Sequence, residues 1–95
     1  MAGKTAAAFR PKLLEAVDMA LSGDWQAAHL IAQDHEEDKI ANWIHAVVHR
    51  MEGDLGNARY WYRRAGRAYP GPDAVQSEIA AARRSLEGGS APDTP

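Results

Sequence analysis

Apolar residues recur at every third or fourth position through most of this chain, and β-branched residues never alternate with polar ones over a useful length. This spacing places apolar side chains on one side of an α-helix, whereas a half-buried strand requires strict alternation. Five segments have the helical pattern, so we predict an all-α fold of about five helices. The apolar stripes of the five segments are Phe9, Leu13, Val17 and Leu21; Ala28, Ile31 and Ala32; Ile40, Ile44, Val47, Val48 and Met51; Leu55, Ala58, Trp61, Tyr62 and Ala65; and Val75, Ile79, Ala82 and Leu86.

Residues that favour helix ends separate the five segments. An aspartate precedes each of the last four segments, where its carboxylate can accept hydrogen bonds from the first backbone amides of a helix. Ser22-Gly23 and Gly53 are placed to end the first and third helices, since glycine readily takes the left-handed conformation found there. The acidic stretch 34–38, DHEED, is predicted to be a turn, and Tyr69-Pro70-Gly71-Pro72 a break. The four capping aspartates are Asp24, Asp38, Asp54 and Asp73.

Length and composition indicate one domain followed by a short tail. The chain has 95 residues, which is enough for a single modest core. Its last stretch, GGSAPDTP, is rich in glycine and proline and is typical of a disordered segment. We therefore predict a helical domain over residues 1–87 and a disordered tail over residues 88–95.

One part of the chain repeats another. The stretch ALSGDWQAA parallels RMEGDLGNA, with Gly23 matching Gly53 and Asp24 matching Asp54 at an offset of 30 residues. A helix-turn-helix unit that recurs at such a period is typical of an α-solenoid, in which each unit covers its apolar face by stacking on the next. We therefore predict antiparallel helical hairpins that stack on each other, with the fifth helix covering the open apolar face.

The second of these units, residues 39–72, carries small residues, a turn, an aromatic residue and a closing proline in a familiar order. They are Ala46, Ala58, Ala65, Gly53-Asp54, Tyr62 and Pro70. This unit resembles a tetratricopeptide repeat, and the first unit agrees with that family at Gly23, Asp24 and Ala28. The resemblance implies a short tetratricopeptide-like array. Here His45 and His49 stand where the family has leucine and tyrosine on the first helix.

The resemblance also implies a binding face, because tetratricopeptide repeats bind peptides on the side lined by the first helix of each unit. The lining here would be Ile40, Trp43, Val47 and Arg50, with Leu13 and Val17 from the first unit. Trp43 and Arg50 are the candidate anchors, since tryptophan and arginine contribute most strongly to interface energies. The alternative is that the Trp43 ring packs against a neighbouring helix as part of the core.

A second resemblance covers most of residues 24–67. This stretch is similar to a family of small bacterial proteins of unassigned function, which share strings such as WIHAVVHRMEGDLGNARYWYRRAG. The similarity implies a fold and a set of positions to test, and it implies no activity.

Three histidines are predicted to meet between the second and third helices. His45 and His49 are four residues apart and therefore share one face of a helix. If the two helices run antiparallel around a turn near residues 36–37, His29 lies opposite residue 44 and faces His45. A cluster of three histidines with an open fourth position resembles a catalytic zinc site, and a histidine is also a candidate general base. The nearest carboxylate on that stripe is Glu52.

The same cluster has a structural interpretation, which the sequence favours. The spacing HxxxH is a weak signal by itself, and the metalloprotease form HExxH is absent. Half-buried histidines can instead hydrogen-bond across the interface and fix which helices meet. The candidate hydrogen-bond partners are Tyr60, Tyr62, Asn57, Gln33 and Trp25.

Charge and composition argue against several functional classes. The chain contains no cysteine, which excludes disulfides, thiolate metal sites and cysteine nucleophiles. The net charge of −2 argues against nucleic-acid binding, although the aromatic run Tyr60-Trp61-Tyr62 next to Arg63-Arg64 resembles a base-stacking surface. Arg59, Arg63 and Arg67 share one helix stripe, which is either a solvated face or a docking surface for an acidic partner or phosphate. No segment resembles a signal peptide or a spanning helix, so we expect no membrane association and a cytoplasmic location.

These observations favour an interaction or scaffold module over an enzyme. The chain has no phosphate-binding glycine loop and no nucleophile motif, and its sequence predicts no cofactor. The expected partner is a protein or peptide, with a second copy of the chain as an alternative. The second hypothesis is a small metal- or ligand-binding protein with weak hydrolase character that uses the histidine cluster. The candidate binding residues are Trp43, Arg50, His29, His45, His49, Tyr60 and Arg63, of which the three histidines are also the candidate metal ligands.

Overall fold

The chain forms five α-helices over the residues that the structure describes. This computed structural model describes the backbone of residues 6–71 and 75–87, and the side chains of those ranges from residue 10 onward. The all-α prediction is confirmed, and no strand occurs within these ranges. The predicted tail and the predicted cap at Asp73 lie outside them. The helices are α1 (Ala6–Leu21), α2 (Trp25–Gln33), α3 (Lys39–Glu52), α4 (Leu55–Ala65) and α5 (Val75–Leu86).

Three of the predicted aspartate caps are present. The carboxylates of Asp24, Asp38 and Asp54 accept hydrogen bonds from backbone amides three residues ahead, at 3.2, 2.9 and 3.3 Å. Each bond satisfies an amide that has no partner inside its own helix, and such a cap stabilises a helix by about 1 kcal/mol. The acidic stretch 34–38 is the turn between α2 and α3, as predicted. These caps set where α2, α3 and α4 begin, and so fix which residues face each other.

The third helix is the centre of the fold. Helices α1 to α4 pack in chain order, each against the next, and α5 packs against both α1 and α3. Every residue from 41 to 50 is therefore buried. Alanines occupy many of the contact positions, and their small side chains let the helices approach closely. The buried alanines are Ala16, Ala20, Ala28, Ala32, Ala41, Ala46, Ala58, Ala65 and Ala82.

Two residues of the predicted apolar stripes lie at the surface. Leu21 is 36% exposed and Leu55 is 42% exposed, whereas Leu13 and Val17 are fully buried. Leu21 is the last residue of α1 and Leu55 the first of α4, so neighbouring helices cover less of each side chain. Phe9, which the stripe of α1 also includes, has its side chain outside the described residues. Within the described part of the chain, no helix has both the length and the apolar character to cross a membrane.

Candidate functional site

Three histidine rings meet between α2 and α3. His45 and His49 lie on one face of α3, and His29 projects from α2 against them. The ring centroid of His29 is 4.6 Å from that of His45 and 4.9 Å from that of His49. The rings of His45 and His49 are 4.9 Å apart and nearly parallel. The predicted opposition of the two helices therefore brings the three side chains together, and Glu52, one turn beyond His49, joins them.

The contacts of His29 and His49 with Glu52 are slightly too long for hydrogen bonds. The Nδ1 atoms of His29 and of His49 are each 3.6 Å from Oε2 of Glu52. A hydrogen bond between such atoms would be about 2.7–3.2 Å long. Two ligands of one tetrahedral zinc ion, each about 2.0–2.1 Å from the metal, lie about 3.3–3.4 Å apart. The observed separations are therefore close to those between ligands of one ion. One ligand atom from each of the three histidines also lies within 4.8 Å of the others.

Several of these atoms are buried without a hydrogen-bond partner. They are Nδ1 of His45, Nδ1 of His49 and Oε2 of Glu52. A buried polar atom left without a partner destabilises a fold by about 1–3 kcal/mol. Three such atoms among neighbouring side chains are unusual, since native structures satisfy most buried polar groups. The cluster thus holds several polar atoms whose hydrogen-bonding capacity is unused.

The hydrogen-bond network predicted as a structural alternative does not form at these atoms. The Tyr62 hydroxyl donates instead to a carboxylate of α5, Oε1 of Glu78, at 2.7 Å. The Asn57 amide donates to Oδ2 of Asp54 at 2.7 Å. Gln33 is exposed at the end of α2. The sequence identified these side chains as potential partners, but Tyr62 and Asn57 hydrogen-bond elsewhere and Gln33 faces solvent.

The buried histidines are held in the neutral form, which is the form that binds metals. Burial, together with the neighbouring rings of His29 and His49, lowers the pKa of His45 to about 3. Burial also lowers the pKa of His49, against the opposing effect of Glu52. The Trp61 ring stacks on His45 with 3.9 Å between centroids and 17° between planes, which fixes the orientation of that imidazole.

One edge of the cluster is open to solvent. The side chain of His29 is 29% exposed and that of Glu52 is 20% exposed, whereas His45 and His49 are buried. A cleft of about 370 Å³ lies against this edge, lined by Trp25, Gln26, His29, Leu30 and Glu52. The cluster therefore has a buried wall, formed by α3, and an accessible edge, formed by His29 and Glu52.

A second carboxylate stands beside the cluster. Oδ2 of Asp54 is 4.0 Å from Nδ1 of His49, and His49, Glu52 and Asp54 form a further group whose ligand atoms lie within 4.8 Å. Hydrogen bonds from Asn57 lower the pKa of Asp54 and keep this carboxylate ionised. The sequence assigned Asp54 only to helix capping. Its place next to the histidines follows from the tight Gly53 turn, which returns the chain directly beside the end of α3.

The predicted anchors Trp43 and Arg50 lie under α5. Trp43 is 4% exposed and Arg50 is 7% exposed. Trp43 Nε1 donates to Oε2 of Glu78 at 2.6 Å, and the Arg50 guanidinium donates to Oε1 of the same carboxylate. Helix α5 thus covers the face that the tetratricopeptide resemblance implies for a peptide. The binding role of Trp43 and Arg50 stays a prediction, and both side chains are buried in this structure.

Tyr60 and Arg63 lie at the surface of α4. Tyr60 is 42% exposed, and Cζ of Arg63 is 6.0 Å from the centre of its ring. The Tyr60 hydroxyl accepts a hydrogen bond from Arg64 at 3.2 Å. The predicted arginine stripe also contacts its own chain, because Cζ of Arg67 lies 3.5 Å from the centre of the Trp43 ring. Tyr60 and Arg63 do not join the histidine cluster, and their binding role stays a prediction.

Comparison of the chain with protein-family profiles, with curated proteins and with solved structures gave no match. The two resemblances described from the sequence therefore rest on the residues quoted for them.

Proposed function

We propose that this chain is a small metal-binding protein in which His29, His45, His49 and Glu52 hold one divalent transition-metal ion. The observation that carries the proposal is the set of three buried atoms without hydrogen-bond partners, contributed by His45, His49 and Glu52. Nδ1 of His49 and Oε2 of Glu52 are 3.6 Å apart, which is close to the separation of two ligands of one ion, and a ligand atom of His45 lies within 4.8 Å of those of His29 and His49. An ion bound among these side chains would give all three atoms a partner once the side chains close around it.

The chemistry of the ligand set indicates the class of metal. Three imidazoles and one carboxylate suit zinc, nickel, copper or cobalt, which bind nitrogen ligands well. Calcium and magnesium take oxygen ligands almost entirely, so they fit this site poorly. Because the chain has no cysteine, thiolate-selective ions gain nothing here. The neutral state of His45 and His49 supports metal binding at neutral pH, since no proton need be displaced from either ring.

A metal titration monitored by thermal unfolding tests this proposal. Protein stripped with chelator is melted alone and with zinc, nickel, copper or cobalt. An ion that binds only the native state raises stability by about 2.7 kcal/mol at a hundredfold excess over its dissociation constant. Equilibrium dialysis should give one ion per chain. A bridging water is the competing occupant of the cluster, and it would leave stability independent of the metal.

Matched variants assign the effect to the cluster. The double variant His45→Gln, His49→Gln should lose the metal-induced rise in melting temperature. His29→Gln alters only the partly exposed edge, so it should fold and should weaken metal binding. It therefore tests the proposal if the double variant fails to fold. His35→Gln is the control, because this histidine lies in the turn between α2 and α3 and outside the cluster. The proposal is wrong if no metal raises stability, or if the His29 and His35 variants respond like the unaltered chain.

The interaction module predicted from the sequence is our second proposal. The surface that supports it is on α4, where the exposed Tyr60 ring lies among the side chains of Arg63 and Arg64. Because α5 covers Trp43 and Arg50, a partner that meets the folded chain would contact α4 rather than the groove implied by the tetratricopeptide resemblance. Sedimentation equilibrium of the unaltered chain and of a Tyr60→Ala variant tests the self-associating form. If the unaltered chain is a monomer at all concentrations, self-association through α4 is excluded.

A further inference from the structure

The four side chains of the candidate metal site differ in exposure, and the two more exposed ones lie on the same side of the cluster. His45 and His49, both on α3, are 3% and 6% exposed. The side chains of His29 and Glu52 are 29% and 20% exposed and share one edge of the cluster. An ion held among the four would therefore be shielded on the α3 side and approachable on the side of His29 and Glu52.

The cleft at this edge has the size and lining of a small-molecule site. Its volume of about 370 Å³ lies within the range of about 300–1,000 Å³ that ligand pockets commonly have. Trp25 and Leu30 supply apolar surface, and Gln26 supplies an amide that can orient a polar group. Leu30 is 61% exposed, so its side chain is accessible to an apolar group that enters the cleft.

The charge of the occupied site selects the head group of such a molecule. Three neutral imidazoles and one carboxylate leave a divalent ion with a single positive charge. Asp54 is also ionised, but it is hydrogen-bonded to Asn57 and does not line the cleft. Among the groups bound to the ion itself, one anionic oxygen from the cleft would balance the remaining charge, whereas a neutral ligand would not.

On the basis of the proposed metal function, we propose that the bound ion keeps a coordination position open toward this cleft. That position takes a monoanionic oxygen ligand with a small apolar body, which packs against Trp25 and Leu30. A tetrahedral zinc site with four protein ligands is closed, but zinc can expand to five ligands, so the molecule in the cleft would bind the ion as a fifth ligand. The exposed edge at His29 and Glu52 provides the side from which that ligand approaches.

Cobalt(II) in place of the native ion gives a direct spectroscopic test. Visible absorption bands of the bound ion report its coordination, and they are recorded while acetate, benzoate or benzamide is added at constant ionic strength. Benzoate should change the spectrum in a saturable way and bind at least about tenfold more tightly than acetate, because its ring adds apolar contact. Benzamide has the same ring without the charge and should produce no change.

A variant in the cleft connects the effect to the named surface. Leu30→Ser should bind cobalt as the unaltered chain does, because this exposed side chain is not a ligand. It should reduce the advantage of benzoate over acetate to about threefold or less. The matched control is Leu21→Ser, which alters another exposed leucine outside the cleft and should leave that advantage intact.

The outcomes separate the two proposals. If cobalt produces no bands of a bound ion, the proposed metal function is wrong. If the bands form but acetate and benzoate leave them unchanged, the metal function stands and the open position is wrong. If benzoate and acetate bind equally, or if Leu30→Ser changes nothing, the assignment of the cleft is wrong.

Discussion

Nδ1 of His49 lies 3.6 Å from Oε2 of Glu52, and both atoms are buried without a hydrogen-bond partner. This separation is too long for a hydrogen bond, but at this distance two buried polar atoms still interact electrostatically. A third group that contacts both atoms resolves the conflict. The metal ion proposed above is one such group, since imidazole nitrogens bind transition metals well.

Substitution of Glu52 by glutamine should separate metal affinity from fold stability. The amide keeps the size of the carboxylate but binds metals weakly, so we expect zinc affinity to fall at least about tenfold. Stability of the metal-free chain should stay the same or rise by up to about 1 kcal/mol, because the new amide can donate to Nδ1 of His49. Thermal melts with and without zinc measure both effects. Glu15→Gln, on the exposed face of α1, is the control and should change neither.

Acid should destabilise the metal-free chain through its buried histidines. The pKa of His45 is about 3 in the folded chain and near 6.5 when unfolded, so the unfolded state binds more protons between these values. The stability that His45 contributes is complete above pH 6.5 and is lost as the pH falls toward 3. The slope approaches about 1.4 kcal/mol per pH unit for one proton, and His49, whose pKa is also lowered, adds to it. Urea denaturation in the presence of chelator, from pH 7.5 to 4, measures the slope.

The pH dependence has its own control. His29, Glu52 and Asp54 are the titratable groups that face the two buried histidines. His45→Gln should flatten the slope, whereas His35→Gln should leave it unchanged. An unaltered slope in the His45 variant would mean that other groups dominate the acid transition.

The contact between Glu78 and Arg50 should matter to stability far more than an exposed ion pair. Glu78→Gln removes the negative charge beside a guanidinium that is 7% exposed, and we expect a loss of about 3 kcal/mol in the free energy of unfolding. Urea denaturation measures it. Glu87→Gln, at the exposed end of α5, should change stability by less than about 0.5 kcal/mol. A loss below 1 kcal/mol in Glu78→Gln would show that α5 is held by its apolar residues alone.

Two glycines offer a matched test of backbone conformation. Gly53 ends α3 with φ of 88°, and a methyl group there would meet no atom within 4 Å. Gly53→Ala should therefore destabilise the chain by about 1 kcal/mol for conformational reasons alone. Gly56 lies inside α4 with equal space around it, and Gly56→Ala should stabilise the chain by up to about 1 kcal/mol. Changes of similar size and opposite sign in the free energy of unfolding would confirm that backbone conformation decides the effect. A loss of stability in both variants would contradict this explanation.

Local signals in the sequence predicted the helices well, and long-range contacts were predicted less completely. Asp38 and Gly53 act on backbone groups within a few residues, so their effects are visible in the sequence itself. The opposition of His29 and His45 was also predictable, because a short turn between two helices fixes which residues face each other. The histidine cluster followed from that inference.

Contacts made by α5 could not be predicted in the same way. Glu78 contacts Trp43 and Arg50 across 35 and 28 positions of sequence, and no periodicity in the chain identifies such pairs. The sequence therefore indicated that a fifth helix covers an apolar face, but not that it would bury the two proposed anchors. The spacing of 3.6 Å between Glu52 and the histidine nitrogens also could not be predicted from the sequence, since it depends on side-chain geometry.

His29 lies on α2, and the other three proposed ligands lie on α3, so a bound ion would connect two helices. An ion held there would join two segments of chain across the turn at residues 34–38, as a disulfide does in other proteins, and this chain has no cysteine with which to form one. Unlike a disulfide, such a link would form and open with the supply of free ion. The rigidity of the hairpin formed by α2 and α3 would then depend on the metal concentration around the protein. The same four side chains would both hold the hairpin together and respond to that concentration.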